Sequence, residues 1–363
     1  MKKLYRNIIV LFIASCFSAL IFVEEQASAQ TKNTANSTSP SKAKKSPTAN
    51  AKPTPNSTSV GKKPDITPTA TSPQIIVTAT AVSIRQQPSA RSNRLMTVKL
   101  GKILLVIEKN GAAYRVQYAQ GKSGWISAAY AKDFQFANRD EIYREIADRY
   151  SKNKALDFAV ALEVAEFLRI AQASAGTFEL QADLSLKRLR VLGSALKTIP
   201  SGKSETFPYK SFLKANEKEV VYSEPSGEWY VRSDLFWELH GNFIKLPTAE
   251  EIAWEAARNP MPGECEGYIN CNLYQLRATD AEYLNFYPNG KYSKKALQSI
   301  NNLLDISVAA MNNKALYTPL TDVGERAEFN RFLTELRAII SKVPHFEKSR
   351  ALQQISQLGE GYK

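Results

Sequence analysis

Histidine and cysteine are both rare in this sequence. Its 363 residues include two histidines and three cysteines. Neither His240 nor His345 lies at a zinc-like spacing from a cysteine or from the other histidine. A zinc amidase needs a cluster of His and Glu ligands, which two isolated histidines do not supply. We therefore exclude this enzyme class, and we predict no bound metal and no other cofactor.

Acidic residues are rare between residues 30 and 134. Residues 30–74 have seven lysines against Asp65, a net charge of +6, and residues 75–134 have nine basic residues against two acidic ones, a net charge of +7. Residues 135–363 carry a net charge of −1. This asymmetry indicates an anionic partner for the N-terminal half. The alternative is that these basic residues only keep the surface soluble.

Bulky apolar residues are nearly absent from residues 30–74, where Val60 and Ile66 are the exceptions. Most of this segment is Thr, Ser, Pro, Lys, Ala and Asn. Such a composition cannot bury enough apolar surface to fold, so we predict a disordered linker. A flexible coil of this length spans about 35 to 40 Å r.m.s. between its ends. It can serve as a simple tether or lie along an anionic polymer.

The first 29 residues have the order of a secretory signal. Three basic residues precede an apolar run from Ile8 to Val23, and the small residues Ala27-Ser28-Ala29 follow it. We predict cleavage after Ala29 and a secreted or periplasmic mature protein. Two alternatives stay open: an uncleaved membrane anchor, and a lipoprotein modified at Cys16 in a lipobox-like Ile-Ala-Ser-Cys. Membrane contact is expected only if this segment is retained or lipidated.

Only Cys265 and Cys271 remain once such a signal is removed. An even number of cysteines in an oxidising compartment predicts a disulfide, here one without catalytic chemistry. The sequence Gly-Glu-Cys-Glu-Gly around Cys265 is faintly similar to the cysteine motif of bacterial cell-wall peptidases. That chemistry needs a histidine base and an orienting third group. His345 lies in Val-Pro-His-Phe-Glu-Lys, which is typical of a helix start, so we favour the disulfide.

Residues 75–134 have the pattern of short strands and turns. The apolar, β-branched runs are IIVTATAVSIR, KILLVIE, YRVQY and GWISAAY. Asn110-Gly111 lies between two of these runs and is a strong hairpin signal. About five short strands within some 60 residues predict a small, partly open barrel.

The order of motifs in this segment resembles the bacterial SH3 (SH3b) family. The matching stretches are VSIRQQPS at 82–89, LGK at 100–102, YRV at 114–116, GKSGWIS at 121–127, and Tyr130. The resemblance implies a non-catalytic domain that binds cell-wall peptides. The candidate binding residues are Arg85, Tyr114, Arg115, Trp125 and Tyr130. For Tyr114 and Trp125 the favoured alternative is packing in the core, because large aromatic residues are the main apolar content of a small barrel. The family usually has Trp where this chain has Ala113.

From Phe136 onward the apolar pattern is helical. Thr248-Ala249-Glu250-Glu251 before IAWEAA predicts a capping box, and EVVYSEPSGEWYV predicts a hairpin that turns at Pro225-Ser226-Gly227. The pattern of residues 273–300 predicts a helix, a turn and a second helix. This arrangement resembles a single tetratricopeptide-type hairpin. The predicted apolar stripes are Leu156, Ala159, Leu162, Ala165, Leu168; Leu180, Leu184, Leu186, Leu189, Val191, Leu192; Leu297, Ile300, Leu303, Leu304, Ile306; and Phe329, Phe332, Leu333, Leu336, Ile340.

The sequence thus predicts a multi-domain chain. A small SH3-like β-barrel at residues 75–134 is followed by a mainly α-helical domain with one β-hairpin at 135–363. The predicted role is non-enzymatic binding or scaffolding at the cell envelope. Its expected partner is a cell-wall peptide or an anionic envelope polymer, with another envelope protein as a further candidate. Nucleic acid is not an expected partner of an exported protein.

Two alternative functions stay open. A peptidoglycan hydrolase that uses carboxylates of the helical domain would show a cleft with two facing carboxylates. An adaptor for an envelope protein complex would show a groove lined with exposed aromatic residues.

Overall fold

The computed structural model describes residues 72–152, 156–260, 265–314 and 316–362. The predicted signal segment, Cys16 and all of the predicted linker before residue 72 lie outside the described residues. Within those four ranges, no helix has the length and apolar character needed to cross a membrane.

Residues 74–134 form a seven-stranded antiparallel sheet in the order β3-β2-β6-β5-β4-β1-β7. The predicted β region is confirmed, with more strands than expected. IIVTATAVSIR forms two strands because Ala81 takes a φ of 51° between them. The strands are β1 (Gln74–Val77), β2 (Val82–Arg85), β3 (Arg94–Val98), β4 (Ile103–Asn110), β5 (Ala113–Ala119), β6 (Lys122–Ser127) and β7 (Ala131–Phe134).

Alternation along the strands separates a core face from an outer face. Tyr114, Val116 and Ile126 point into the barrel core, while Arg115 and Ser127 are exposed. The predicted turn at Asn110-Gly111 joins β4 to β5, with Gly111 at a φ of 54°. The buried core residues are Ile75, Val77, Val82, Ile84, Val98, Leu104, Tyr114, Val116, Ile126 and Ala131.

The region after residue 134 is mainly helical, as predicted. A two-stranded hairpin, β8 (Val220–Ser223) and β9 (Glu228–Val231), interrupts the helices where the sequence indicates it. The helices are α1 (Arg139–Ser151), α2 (Phe158–Ala173), α3 (Phe178–Lys197), α4 (Tyr209–Ala215), α5 (Ser233–Phe243), α6 (Ala249–Arg258), α7 (Ile269–Ala278), α8 (Asp280–Phe286), α9 (Ser293–Met311), α10 (Val323–Ser341) and α11 (Lys348–Gly361).

Two of the four predicted apolar stripes are buried in full, those of α3 and α10. The stripe of α2 is partly wrong, because positions three apart drift around a helix of 3.6 residues per turn. Its buried face is instead Ala161, Val164, Phe167, Leu168 and Ala171, while Ala159 is exposed. In α9, Ile306 is 62 % exposed and lies off the buried face.

The predicted capping box at Thr248 is wrong. Thr248 makes no side-chain cap hydrogen bond to α6, and its hydroxyl is buried without a partner. The two glutamates that suggested the box point elsewhere. Glu250 accepts a hydrogen bond from the Tyr283 hydroxyl at 2.7 Å, and Glu251 accepts one from Arg190 at 2.8 Å. Tertiary contacts therefore take the carboxylates that local capping would use.

The predicted helical hairpin consists of α7 and α8 on one side and α9 on the other. The first arm breaks at Thr279, where φ is −118° and ψ is −101°. The turn between α8 and α9 includes Gly290. A Cβ at this residue would overlap the Glu250 carboxylate and the Tyr283 hydroxyl. The break at Thr279 therefore divides the first arm into two short helices, α7 and α8.

Cys265 and Cys271 lie at disulfide distance, as predicted, with an S–S length of 2.03 Å and Cα atoms 5.3 Å apart. Cys271 is in the first turn of α7, and Cys265 precedes that helix. The enclosed loop also contacts α10, since the Asn270 amide donates a hydrogen bond to the Glu325 carbonyl at 2.9 Å. The bridge therefore fixes the start of α7.

Replacing both Cys265 and Cys271 by serine is expected to lower the free energy of unfolding by about 2 kcal/mol, because the enclosed loop is short. Urea unfolding of the oxidised protein and the double variant measures this difference. Titration of the folded, oxidised protein should find no reactive thiol from this pair. Two reactive thiols, or equal stability of the two proteins, would contradict the prediction.

Helix α2 connects the barrel to the helical region. Glu163 on this helix accepts hydrogen bonds from the backbone N–H groups of Ala81, at 3.2 Å, and Leu100, at 2.5 Å. One turn further along, the Phe167 ring lies directly over Gly101, so that a Cβ there would overlap it. Gly101 also has a φ of 77°, which glycine adopts without strain.

Helix α1 adds polar contacts to the same interface. The Arg149 guanidinium donates to the Thr78 carbonyl at 3.1 Å, and the Thr80 N–H donates to the Tyr150 hydroxyl at 3.1 Å. Ile76 and Leu100 of the barrel belong to one hydrophobic cluster with residues of α1 to α6. The barrel is therefore packed on the helices through a continuous apolar contact.

The helices build a second cluster from α6 to α11. Trp237 on α5 packs against both clusters, and α6 contributes adjacent faces to them, with Ile252 in the first and Ala253 in the second. The two cores consequently meet along α5 and α6.

Candidate functional site

Three of the predicted binding residues form a row across the outer face of the barrel. Trp125 on β6 is paired with Arg85 on β2 and with Arg115 on β5. Directly paired residues place their side chains on the same face of a sheet. Trp125 and Arg85 are half-buried, and Arg115 is exposed. The row therefore offers an indole between two guanidinium groups.

A groove of about 670 Å³ lies beside this row. Arg85, Trp125 and Tyr130 line it, and Tyr130 is 50 % exposed. The remaining lining residues are Ala79, Thr80, Ala81, Val82, Ser83, Gln87, Pro88, Ser89, Ala90, Asn110, Ala112, Ala113, Ile126 and Ser127. The groove thus combines one cation, two aromatic rings and several hydroxyl and amide groups.

Hydrogen bonds hold the cationic wall of this groove in place. The Arg85 guanidinium donates to the Ser92 carbonyl at 2.7 Å, and the Gln87 N–H donates to the Ser92 hydroxyl at 2.8 Å. These bonds tie β2 to the loop that follows it. The guanidinium keeps further N–H donors for a ligand, since arginine has five.

The other two predicted residues lie outside the groove. Tyr114 is 6 % exposed and belongs to the barrel core, where its hydroxyl donates to the Asp133 carboxylate at 3.2 Å. Arg115 stands at the far end of the row, 3.8 Å from the Glu108 carboxylate. The structure therefore brings Arg85, Trp125 and Tyr130 together in the groove, whereas Arg115 lies beside Trp125 outside the groove and Tyr114 lies in the core.

The helical region contains a second concavity, a cleft of about 470 Å³ between α5 and α10. Helices α7 and α8 supply residues between these two walls. Trp237, Tyr274, Phe286 and Phe332 give the cleft four aromatic rings. We refer to this feature as the helical cleft.

Arg277 organises the polar side of the helical cleft. Its guanidinium donates to Glu335 at 2.8 Å and also to Glu282, so that one cation binds two carboxylates. Burial opposes the charge of Arg277, but the hydrogen bonds and attraction from Glu282 and Glu335 outweigh burial and raise its pKa. Arg277 therefore stays cationic at any pH at which the protein is folded.

The two histidines and the cysteine pair have separate structural partners. The His240 ring is 2 % exposed and lies 2.9 Å from the Tyr287 hydroxyl, and burial lowers its pKa. His345 lies 3.0 Å from the Ser293 hydroxyl. Cys265 is bridged to Cys271. In the described parts of the chain, no group of three or more His, Cys, Asp and Glu side chains is placed to hold a metal ion.

Comparison with protein families agrees with the barrel geometry. Residues 80–132 match the family described as bacterial SH3 domain. No curated protein matches the chain. The matched segment contains the whole row and most of the groove, so the predicted SH3b segment is confirmed.

Ala113 is placed where the resemblance expects tryptophan. It is paired with Ser127 and therefore shares the outer face with Trp125. Ala113 is 8 % exposed and lines the groove. A small side chain at this position leaves open the space that a tryptophan ring would fill.

Sequence reasoning missed the helical cleft completely. Its residues come from four helices spread over residues 237–335. The available signals were pairs spaced by one helical turn, such as Glu282 with Phe286 and Arg331 with Glu335, which share a helix face. Such pairs are common on surface helices, and only the tertiary arrangement of the four helices places them in one cleft.

Proposed function

We propose that this protein is a non-catalytic binding or scaffolding protein of the bacterial cell envelope. Its barrel contacts a cell-wall peptide or another anionic component through the groove lined by Arg85, Trp125 and Tyr130. The observation that carries the proposal is the meeting of these three side chains in one concavity of an SH3b-type barrel. Export of the chain belongs to the same proposal and rests on its first 29 residues.

Charge and shape support the same partner. The barrel carries a net charge of +7, and Arg85 supplies a fixed donor for a carboxylate. The indole and phenol rings offer apolar surface for the aliphatic part of a peptide. A short peptide that ends in, or carries, carboxylates satisfies both features.

The helical cleft bears on the two alternative functions. A carboxylate-based hydrolase needs one acid and one base facing the bond that is cleaved. Glu282 and Glu335 instead share the Arg277 guanidinium. This engagement supports binding over hydrolysis, and the exposed aromatic rings of the cleft favour the adaptor as the second candidate.

Retention of the full-length mature protein on purified cell-wall sacculi tests the barrel proposal. Arg85→Gln is expected to weaken retention about tenfold, because a charge-assisted hydrogen bond is lost. Lys122→Gln removes an exposed positive charge outside the groove and should change retention by less than about twofold. Lys122 is the first residue of β6 and does not line the groove.

Salt provides a second measure of the same interaction. Retention is expected to fall steeply between about 0.1 M and 1 M salt, as the Debye length shortens from about 10 Å to about 3 Å. Retention that is insensitive to salt, or an equal loss in Arg85→Gln and Lys122→Gln, would count against the groove. The full chain is used because removal of residues 135–363 would expose Ile76 and Leu100 of the barrel.

A further inference from the structure

The helical cleft lies where the two hydrophobic clusters meet. Trp237, which lines the cleft, is the residue of α5 that packs against both clusters. Clefts between packed subregions are common places for small-molecule sites. The cleft is built from helix faces and is therefore held by the packing on both sides.

Aromatic rings are accessible from the open side of this cleft. Tyr274 is 58 % exposed and Phe286 is 41 % exposed, although both pack against other rings. Tyr274 lies 6.3 Å from Phe332, and Phe286 lies 4.6 Å from His240. Rings held in this way can stack on a ligand at little cost in side-chain entropy.

The charged groups of the cleft already have partners. Arg277 binds Glu282 and Glu335, and Arg331 pairs with Glu328 beside the cleft. Arg277 is bonded to both carboxylates, and Arg331 lies over the Phe332 ring at 4.8 Å. A charged ligand would have no unpaired counter-charge in this lining. A neutral ligand with hydroxyl and amide groups can use the remaining donors and acceptors.

Size limits the class of ligand. The volume of about 470 Å³ is within the range of about 300 to 1,000 Å³ that is typical of small-ligand sites. A docked α-helix, with a diameter of about 10 Å, would need far more room than the cleft offers. The cleft therefore suits a few linked rings or a short extended segment.

We propose that the helical cleft binds a short, uncharged oligosaccharide. A pyranose ring has an apolar face of C–H groups, which matches Tyr274 and Phe286, and a rim of hydroxyls, which matches Arg277, Glu282 and Glu335. This site goes beyond the barrel groove and uses different residues. Its binding is independent of the barrel's net charge.

Titration of the full-length mature protein with chitotetraose by calorimetry tests this assignment. Tyr274→Ala is expected to weaken binding about tenfold through loss of ring stacking, while Tyr274→Phe keeps the ring and should stay within about threefold of the wild type. Tyr222→Ala is the matched control, since Tyr222 is 45 % exposed on β8 and lies outside the cleft. This control should leave the affinity unchanged.

Salt separates this site from the barrel groove. Chitotetraose binding should be nearly the same at low salt and at about 1 M salt, unlike retention on sacculi through charge. No binding, or equal binding by Tyr274→Ala and wild type, would overturn the assignment. Release of new reducing ends would overturn the binding-only role. A peptide with the proline-rich sequence of residues 48–58 is titrated in parallel, and its binding in place of chitotetraose would also overturn the proposal.

Discussion

Replacement of Gly101 by alanine is expected to lower the free energy of unfolding by about 3 kcal/mol. Two effects add at this position. A φ of 77° disfavours a residue with a side chain, and the new Cβ would overlap the Phe167 ring. Phe167 is 3 % exposed within the first hydrophobic cluster, so the ring cannot move without displacing its neighbours. Urea unfolding of the variant measures the loss.

Gly121 provides a matched control for the Gly101 prediction. It has a φ of 66°, but no atom lies within 4 Å of its Cβ position. Gly121→Ala should therefore cost only about 1 kcal/mol, from backbone strain alone. The difference between the two variants measures the contact between the barrel and α2. Equal losses would mean that Phe167 does not hold the barrel in place.

Replacement of Arg277 by methionine is expected to destabilise the protein by about 3 kcal/mol at neutral pH, because two partly buried carboxylates lose their shared partner. The side chains of Arg277 and Glu282 are 26 % and 25 % exposed. Arg331→Met is the control: this side chain is 59 % exposed and pairs with Glu328 on the surface. Its loss should cost less than about 1 kcal/mol. Thermal unfolding of both variants gives the comparison.

The Arg277 effect has a defined pH dependence. Because the folded-state pKa of Arg277 is raised, its contribution to stability is fully present below the ordinary arginine pKa and is lost only at strongly alkaline pH. The deficit of Arg277→Met should therefore stay constant from neutral to moderately alkaline pH. Changing Glu282 and Glu335 to glutamine in the same variant should restore most of the stability at neutral pH. A deficit that shrinks within this pH range would contradict the three-residue arrangement.

Local sequence signals predicted the strands of the barrel better than the arrangement of side chains on its outer face. Turn chemistry at Asn110-Gly111 and alternation along β4 to β6 are short-range effects, so they identify strands and their inward faces. The pairing of Trp125 with both Arg85 and Arg115 depends on strand order, which no local pattern gives. The short strands β3 and β7 escaped notice because RLMTV and AKDF have almost no alternating apolar pattern.

Long-range contacts account for what the sequence did not predict. The glutamates at 250 and 251 have the spacing of a capping box, yet Tyr283 and Arg190 bind them. Residue type leaves Tyr114 open to both a binding surface and the core, and strand register places it in the core, the favoured alternative. The helical cleft depends on four helices whose packing no local pattern reveals. Of the five candidate residues of the barrel, three thus line one groove and two do not.

The contact of α2 with the barrel also determines how the protein would hold a long polymer. Glu163 and Phe167 hold the barrel against α2, and the barrel groove and the helical cleft belong to one compact unit. A chain captured at one site would present its next repeat units to the other at a high effective concentration, so two weak contacts would add to strong avidity. That gain exists only when the repeat spacing of the polymer matches the fixed distance between the sites. The contact between α2 and the barrel would thus make binding selective for polymers whose repeat spacing matches the distance between the two sites.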